Sequence, residues 1–163
     1  MSYNTGVKKF RVHFVCTGNY YRSRLAEAYL LSKKLPNVEV SSSGVQAKEY
    51  YKENGPISWY AARLIKKYNL IPHTKRDSTQ TSLRELNGAD VVIFMTDKHY
   101  QYARSKYKFK KNSFEIWNIG DIADADFYNT DRDTDHMRIQ HSEKTFVQIK
   151  EKVDSLVNQL RSK

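Results

Sequence analysis

The chain has 163 residues, about the length of one ordinary domain, and carries 28 Lys and Arg against 18 Asp and Glu for a net charge of +10. One cysteine excludes an internal disulfide and a zinc site of several thiolates, no stretch approaches membrane-spanning length, and no secretory leader pattern is present, so a cytoplasmic protein is expected. The basic charge could draw a polyanion, but the lysines of KKYN (66 to 69) and KYKFKKN (106 to 112) fit solvated faces, and nucleic acid is not the expected partner.

In chain order, FRVHFV at 10 to 15 largely alternates apolar and polar residues and predicts a short strand ending beside Cys16. A helix is predicted over 23 to 35, with Leu25, Ala28, Tyr29 and Leu35 on one stripe, and VEVS at 38 to 41 predicts a second strand. Pro36 and Gly55-Pro56 mark turns and not domain borders. Residues 58 to 68 read as a helix with Trp59, Ala62, Ile65 and Tyr68 on its apolar stripe. DVVIFM at 90 to 95 is nearly continuous apolar sequence, as in a parallel strand covered on both faces, and FEIWNI at 114 to 119 predicts a fourth strand. Phe146, Ile149, Val153, Leu156, Val157 and Leu160 recur at helical spacing in the last segment. Strand and helix alternate, so the expected fold is α/β. It is a single domain over 1 to 163, a four-stranded parallel sheet flanked by helices on both faces. Ligands in such sheets bind beyond the carboxyl ends of the strands, where Cys16 falls.

CTGNYYR, residues 16 to 22, then links a strand end to a helix start through a turn holding Gly18 and Asn19. Successive N–H groups in such a turn, at the positive end of a helix dipole, form an anion cradle, and the same field favours a thiolate. Arg22 brings a planar fork of donors suited to two phosphate oxygens, and Ser23 can donate to sulfur. Each residue alone has a plainer role: a core cysteine, a surface cation, a helix cap. Together they set a nucleophile inside an anion site.

VCTGNYYRSRLAEA, residues 15 to 28, resembles the phosphate-binding loop of the low-molecular-weight protein tyrosine phosphatases, whose usual pattern is V-C-x-G-N-x-C-R-S-P-x-A-E. SSSG at 41 to 44 resembles that family's S-A-G turn, LRELNGADVVIFMT at 83 to 96 its approach to the third strand, and DIADADFYN at 121 to 129 its D-P-Y acid loop. The resemblance implies a phosphate-binding loop after the first strand, Thr17, Gly18, Asn19, Tyr20, Tyr21, Arg22 and Ser23, with Cys16 as nucleophile and Arg22 as phosphate ligand. Asn19, Ser23 and Ser42 would support the loop, and Asp124 would be the general acid, with Asp126 as the alternative. It further implies a phosphotyrosine-containing protein or aryl phosphate as substrate, inorganic phosphate as product, and no metal or other cofactor. Tyr50 and Tyr51 on one side, with Phe127 or Tyr128 on the other, would form a slot for a flat ring.

Several positions depart from the pattern. Tyr21 replaces the second loop cysteine, Arg24 the proline, Ala125 the proline of D-P-Y, and Thr96 with Asp97 stands where an aspartate usually follows the methionine. A loop-buttressing histidine has no secure counterpart among His73, Lys75 and Arg76. Asp131, Asp133 and Asp135 echo a calcium loop, but His136 stands where glycine is needed and Ser142 where the closing glutamate belongs. These departures leave open a phosphatase-like module that binds a phosphorylated or anionic partner with little turnover. Thiol-relay arsenate reduction is set aside because it needs further cysteines.

Overall fold

A computed structural model describes residues 6–162. Strands β1 (Phe10–Cys16), β2 (Val38–Gly44), β3 (Val91–Phe94) and β4 (Phe114–Ile116) form one parallel sheet in the order β2-β1-β3-β4. Among the described residues six α-helices connect and follow them: α1 (Arg22–Ser32), α2 (Ala47–Asn54), α3 (Trp59–Lys67), α4 (Leu83–Gly88), α5 (Asp97–Tyr107) and α6 (Asp135–Arg161). Short 3-10 turns occupy Ile71–His73 and Ile122–Asp124. This is the expected α/β architecture.

Alternation along β1 sends side chains to two separate cores. Val12, Phe14 and Cys16 pack with Leu25 of α1, Leu64 of α3 and Phe146 and Ile149 of α6, whereas Val15 joins Val92 and Phe94 of β3, Leu86 of α4, Ala103 of α5 and Phe109. β1 and β3 are therefore buried on both faces, which accounts for their mostly apolar sequences. Arg11 of β1 is exposed and pairs with Glu39, so His13 is the buried polar exception. It is 1% exposed and is held between Ser41 Oγ at 2.6 Å and Ser43 Oγ at 2.7 Å on β2. Packing of α3 on α6 is reinforced where Glu143 accepts hydrogen bonds from Arg63 at 2.8 Å, Lys67 at 2.6 Å and the Tyr68 hydroxyl at 3.0 Å.

Differences from the sequence reading have local causes. Ala61, Leu64 and Ile65 form the buried face of α3, while Trp59 is 61% exposed, because at about 100° per residue it points to the opposite side of the helix. α2 and α5 are rich in charge and bury only Ala47 in the first case and His99 and Ala103 in the second, and α4 has only six residues, so none shows a strong apolar stripe. Caps define three starts: Ser58 accepts from Tyr60 N at 3.2 Å, Ser82 from Glu85 N at 3.3 Å and Thr134 from Met137 N at 3.2 Å. No helix among the described residues is long and apolar enough to cross a membrane.

The chain leaves β1 toward β2 on one side, and β3 lies on the other. Connections diverge there, so a crevice opens beyond the carboxyl ends of β1 and β3. The loop after Cys16 sits in it.

Candidate active site

Residues 17 to 21 wrap tightly between β1 and α1, and two features let them do so. Asn19 adopts a left-handed conformation with φ 53, and Gly44 at the end of β2 lies so close beneath the loop that an added Cβ would come 2.5 Å from Asn19 N and 2.6 Å from Thr17 O. Any side chain at 44 would push the loop outward. Buried hydrogen bonds then fix Asn19: its Nδ2 donates to Ser23 Oγ at 2.7 Å and Ser42 Oγ at 2.9 Å, and its Oδ1 accepts from Thr79 N at 2.8 Å. Holding a non-glycine residue at positive φ costs free energy that such contacts must offset.

Cys16 is 2% exposed, with its sulfur 2.9 Å from Ser23 Oγ. Because Ser23 Oγ accepts from Asn19, its own proton is free to point at sulfur, an arrangement that suits a thiolate. Arg22 is 4% exposed at the start of α1. One arm donates to Ile119 O at 2.9 Å, and the other lies 3.8 Å from Asp121 Oδ2, too far for a tight pair. That arm retains donors for an anion.

Thr17, Arg22, Tyr50, His99, Asp121 and Asp124 line a cleft of about 650 Å³ over the loop. A second hollow of about 280 Å³ shares Asp121 and is walled by Tyr20, Trp59, Tyr60 and Tyr128. The Tyr20 and Tyr50 rings lie 5.5 Å apart at the rim, and burial together with the Asp121 charge raises both phenol pKa values.

The acid loop is compact. Asp121 and Asp124 cap the 3-10 turn reciprocally: Asp124 Oδ2 accepts from Asp121 N at 2.8 Å, and Asp121 Oδ1 from Ile122 N at 2.7 Å. Asp124 is exposed to the cleft, and its other oxygen has no partner among the described residues. Asp126 lines neither hollow. Its side chain is 85% exposed and 3.7 Å from Arg132.

Of the ring residues expected in the slot, Tyr50 lines the cleft and Tyr128 the neighbouring hollow, with the Arg138 guanidinium over its face. Tyr51 is 46% exposed, and Phe127 is buried in the core with its ring against His141. Lys75, not His73 or Arg76, reaches the loop support, donating to Ser42 O at 2.8 Å and Thr79 Oγ1 at 3.0 Å. Asp133 is bound twice by Arg138, at 2.7 and 2.8 Å, and Asp135 accepts from the Tyr60 hydroxyl. Among the described residues no group of three or more His, Cys, Asp or Glu side chains is placed to hold a metal.

Asp121 and His99 are cleft residues that sequence reasoning missed. Asp121 opens the same DIAD string as Asp124, so its position was visible, but nothing local tied it to Arg22. His99 shows only as the third residue of a helix capping pattern after Thr96.

A model of the low molecular weight phosphotyrosine protein phosphatase family matches residues 11–163. A protein-arginine-phosphatase of Geobacillus stearothermophilus is 36% identical over 121 residues, covering 71% of this chain and 78% of that protein. A low molecular weight protein-tyrosine-phosphatase of Staphylococcus haemolyticus is 33% identical over 118 residues, covering 70% and 80%. Among solved structures, a low molecular weight protein tyrosine phosphatase from Bacillus subtilis superposes with a TM-score of 0.70 at 25% identity, covering 94% of this chain and 98% of that one.

Proposed function

The chain belongs to the low molecular weight phosphotyrosine protein phosphatase family, whose members hydrolyse phosphoesters through a cysteine, and from that premise we propose that Cys16 is the nucleophile, Arg22 the phosphate ligand and Asp124 the general acid. The Cys16 sulfur attacks phosphorus, an S–P bond forms, and the P–O bond to the leaving group breaks while Asp124 gives its proton to the departing phenolate oxygen. Water then attacks phosphorus, Asp124 takes its proton, the S–P bond breaks, and inorganic phosphate leaves with the thiolate restored. Loop amides and the free arm of Arg22 carry the charge that grows on the phosphoryl oxygens. Ser23 donates to the leaving sulfur. The observation that carries this reading is a sulfur 2.9 Å from Ser23 Oγ on the loop whose Arg22 lines the same cleft as Asp124. A lone catalytic thiol must stay reduced, which favours a cytoplasmic setting for the same protein.

For the substrate, the reading is phosphotyrosine in a protein. The paired rings of Tyr20 and Tyr50 at the rim support a flat aryl group. Phosphoarginine is the second reading, favoured by the relative named for it and by two carboxylates, Asp121 and Asp124, on the cleft wall that could face a guanidinium.

Hydrolysis of a generic aryl phosphate tests the roles. Cys16→Ser should abolish turnover, and Asp124→Ala should lower kcat by about 10²–10⁴-fold. Wild-type activity no better than Cys16→Ser would overturn the reading, and an equal loss in Asp126→Ala but not Asp124→Ala would move the acid by two residues. Phosphotyrosine and phosphoarginine peptides of one sequence, assayed side by side, decide the substrate.

A further inference from the structure

We propose that the Thr17 hydroxyl is a hydrogen-bond donor to the bound phosphoryl group, aimed into the cleft by His99 acting as a positioning residue; the idea rests on the phosphatase reading above. His99 lies in the first turn of α5 and is 5% exposed. Its Nδ1 lies 3.1 Å from Thr96 N, a backbone amide that can only donate, so Nδ1 must be an acceptor and carries no proton. Burial, helped by the charge of Arg22, pushes the imidazole pKa down to about 3, and the ring is neutral at ordinary pH. A neutral ring has one proton, which is therefore on Nε2. That nitrogen is 2.8 Å from Thr17 Oγ1 and donates to it.

The consequence falls on Thr17. Its oxygen is already an acceptor, so its own proton needs an acceptor elsewhere, and among the described residues Oγ1 has no second partner. Thr17 follows Cys16 directly and shares the cleft wall with Arg22. The acceptor that completes the set is an oxygen of an anion held between them. With Nδ1 fixed by a backbone amide, the polarity of this chain, from imidazole to hydroxyl to phosphoryl oxygen, cannot reverse.

The test measures binding of inorganic phosphate by calorimetry and kcat/KM on an aryl phosphate, for the wild type, Thr17→Val, Thr17→Ser, His99→Leu and the double variant Thr17→Val/His99→Leu. Losing one hydrogen bond to a charged group should weaken phosphate binding and kcat/KM by about tenfold or more in Thr17→Val. Thr17→Ser, which keeps the hydroxyl, should recover most of that loss. His99→Leu should cost a similar factor alone and little more on top of Thr17→Val, since its effect passes through the hydroxyl. Phosphate binding in Thr17→Val equal to wild type overturns the proposal, as do losses that multiply in the double variant. If His99→Leu does not fold, the Thr17→Val and Thr17→Ser pair decides. Failure of the phosphatase reading shows separately, as wild-type turnover no faster than Cys16→Ser, while phosphate binding still judges Thr17; a wild type that binds no phosphate overturns both.

Discussion

At Cys16 the sulfur has Ser23 as its hydrogen-bond partner, and the chain holds no second thiol to protect it. Tyr21 occupies the position of a neighbouring cysteine in the resembling loops, and its ring is 3% exposed within the core. A thiolate attacked by peroxide becomes a sulfenic acid, which a nearby thiol can trap as a disulfide; without one, further peroxide carries it to the irreversible sulfinic acid. Brief peroxide exposure should thus be reversed by dithiothreitol and prolonged exposure should not, with the sulfinic form seen on the Cys16 peptide by mass spectrometry. Full recovery of activity after prolonged exposure would contradict this. Sequence separation decides which site residues are legible in the chain. Cys16, Arg22 and Ser23 lie within eight consecutive residues, so their chemistry is local; Asp121, His99 and Lys75 reach the loop across long separations, and their own neighbourhoods do not show which part of the loop each one meets.

The first turn of α1 shows how an element ties a site together. Arg24, 1% exposed where the resembling loops carry proline, donates through Nη1 to Asn19 O at 3.3 Å and Pro56 O at 3.0 Å, and through Nη2 to Lys75 O. One guanidinium thus joins the phosphate loop, the entry to α3 and the segment beneath the loop. Burial lowers its pKa, and the charge of Glu27, itself 5% exposed, opposes that shift. Arg24→Met should leave three carbonyls without their donor and cost about 3 kcal/mol of unfolding free energy in urea, with loss of phosphate affinity as the loop relaxes. A cost under about 1 kcal/mol would mean the clamp is dispensable. Elements were legible to the degree that they bury an apolar stripe. β1, β3, α1, α3 and α6 bury apolar side chains, and Val38, Val40, Phe114 and Ile116 of β2 and β4 pack partly against the cores, whereas α2 buries only Ala47 and starts without a side-chain cap, and α5 buries only His99 and Ala103 and shows its start in the Thr96–His99 capping pair. Arg24 shows in the sequence only as a departure from the loop pattern, and its role as a clamp appears once the carbonyls of Asn19, Pro56 and Lys75 are seen around it.

The whole molecule couples its stability to two buried histidines. Burial, with help from Lys75 at His13 and Arg22 at His99, pushes both pKa values down from 6.5 to about 3. Between those values the unfolded chain takes up protons that the folded one refuses, so stability falls as pH drops from 6.5 toward 3, by up to about 1.4 kcal/mol per pH unit for each histidine. Burial raises Glu27 and Glu85 and offsets part of this, while Glu143 and Asp133, each held down at about 2, act mainly below pH 4. Urea unfolding should therefore show declining free energy from pH 7 to 4.5 and a shallower decline in His13→Gln; a level profile would contradict the burial of neutral imidazoles. Within that framework the chemistry turns on a single bond, between sulfur and phosphorus. Rapid quenching of Asp124→Ala with an aryl phosphate, followed by peptide mass spectrometry, would detect that bond. One phosphoryl group is expected on the Cys16 peptide and none in Cys16→Ser, whereas released phosphate with that peptide unmodified at every time point would rule the cysteinyl intermediate out.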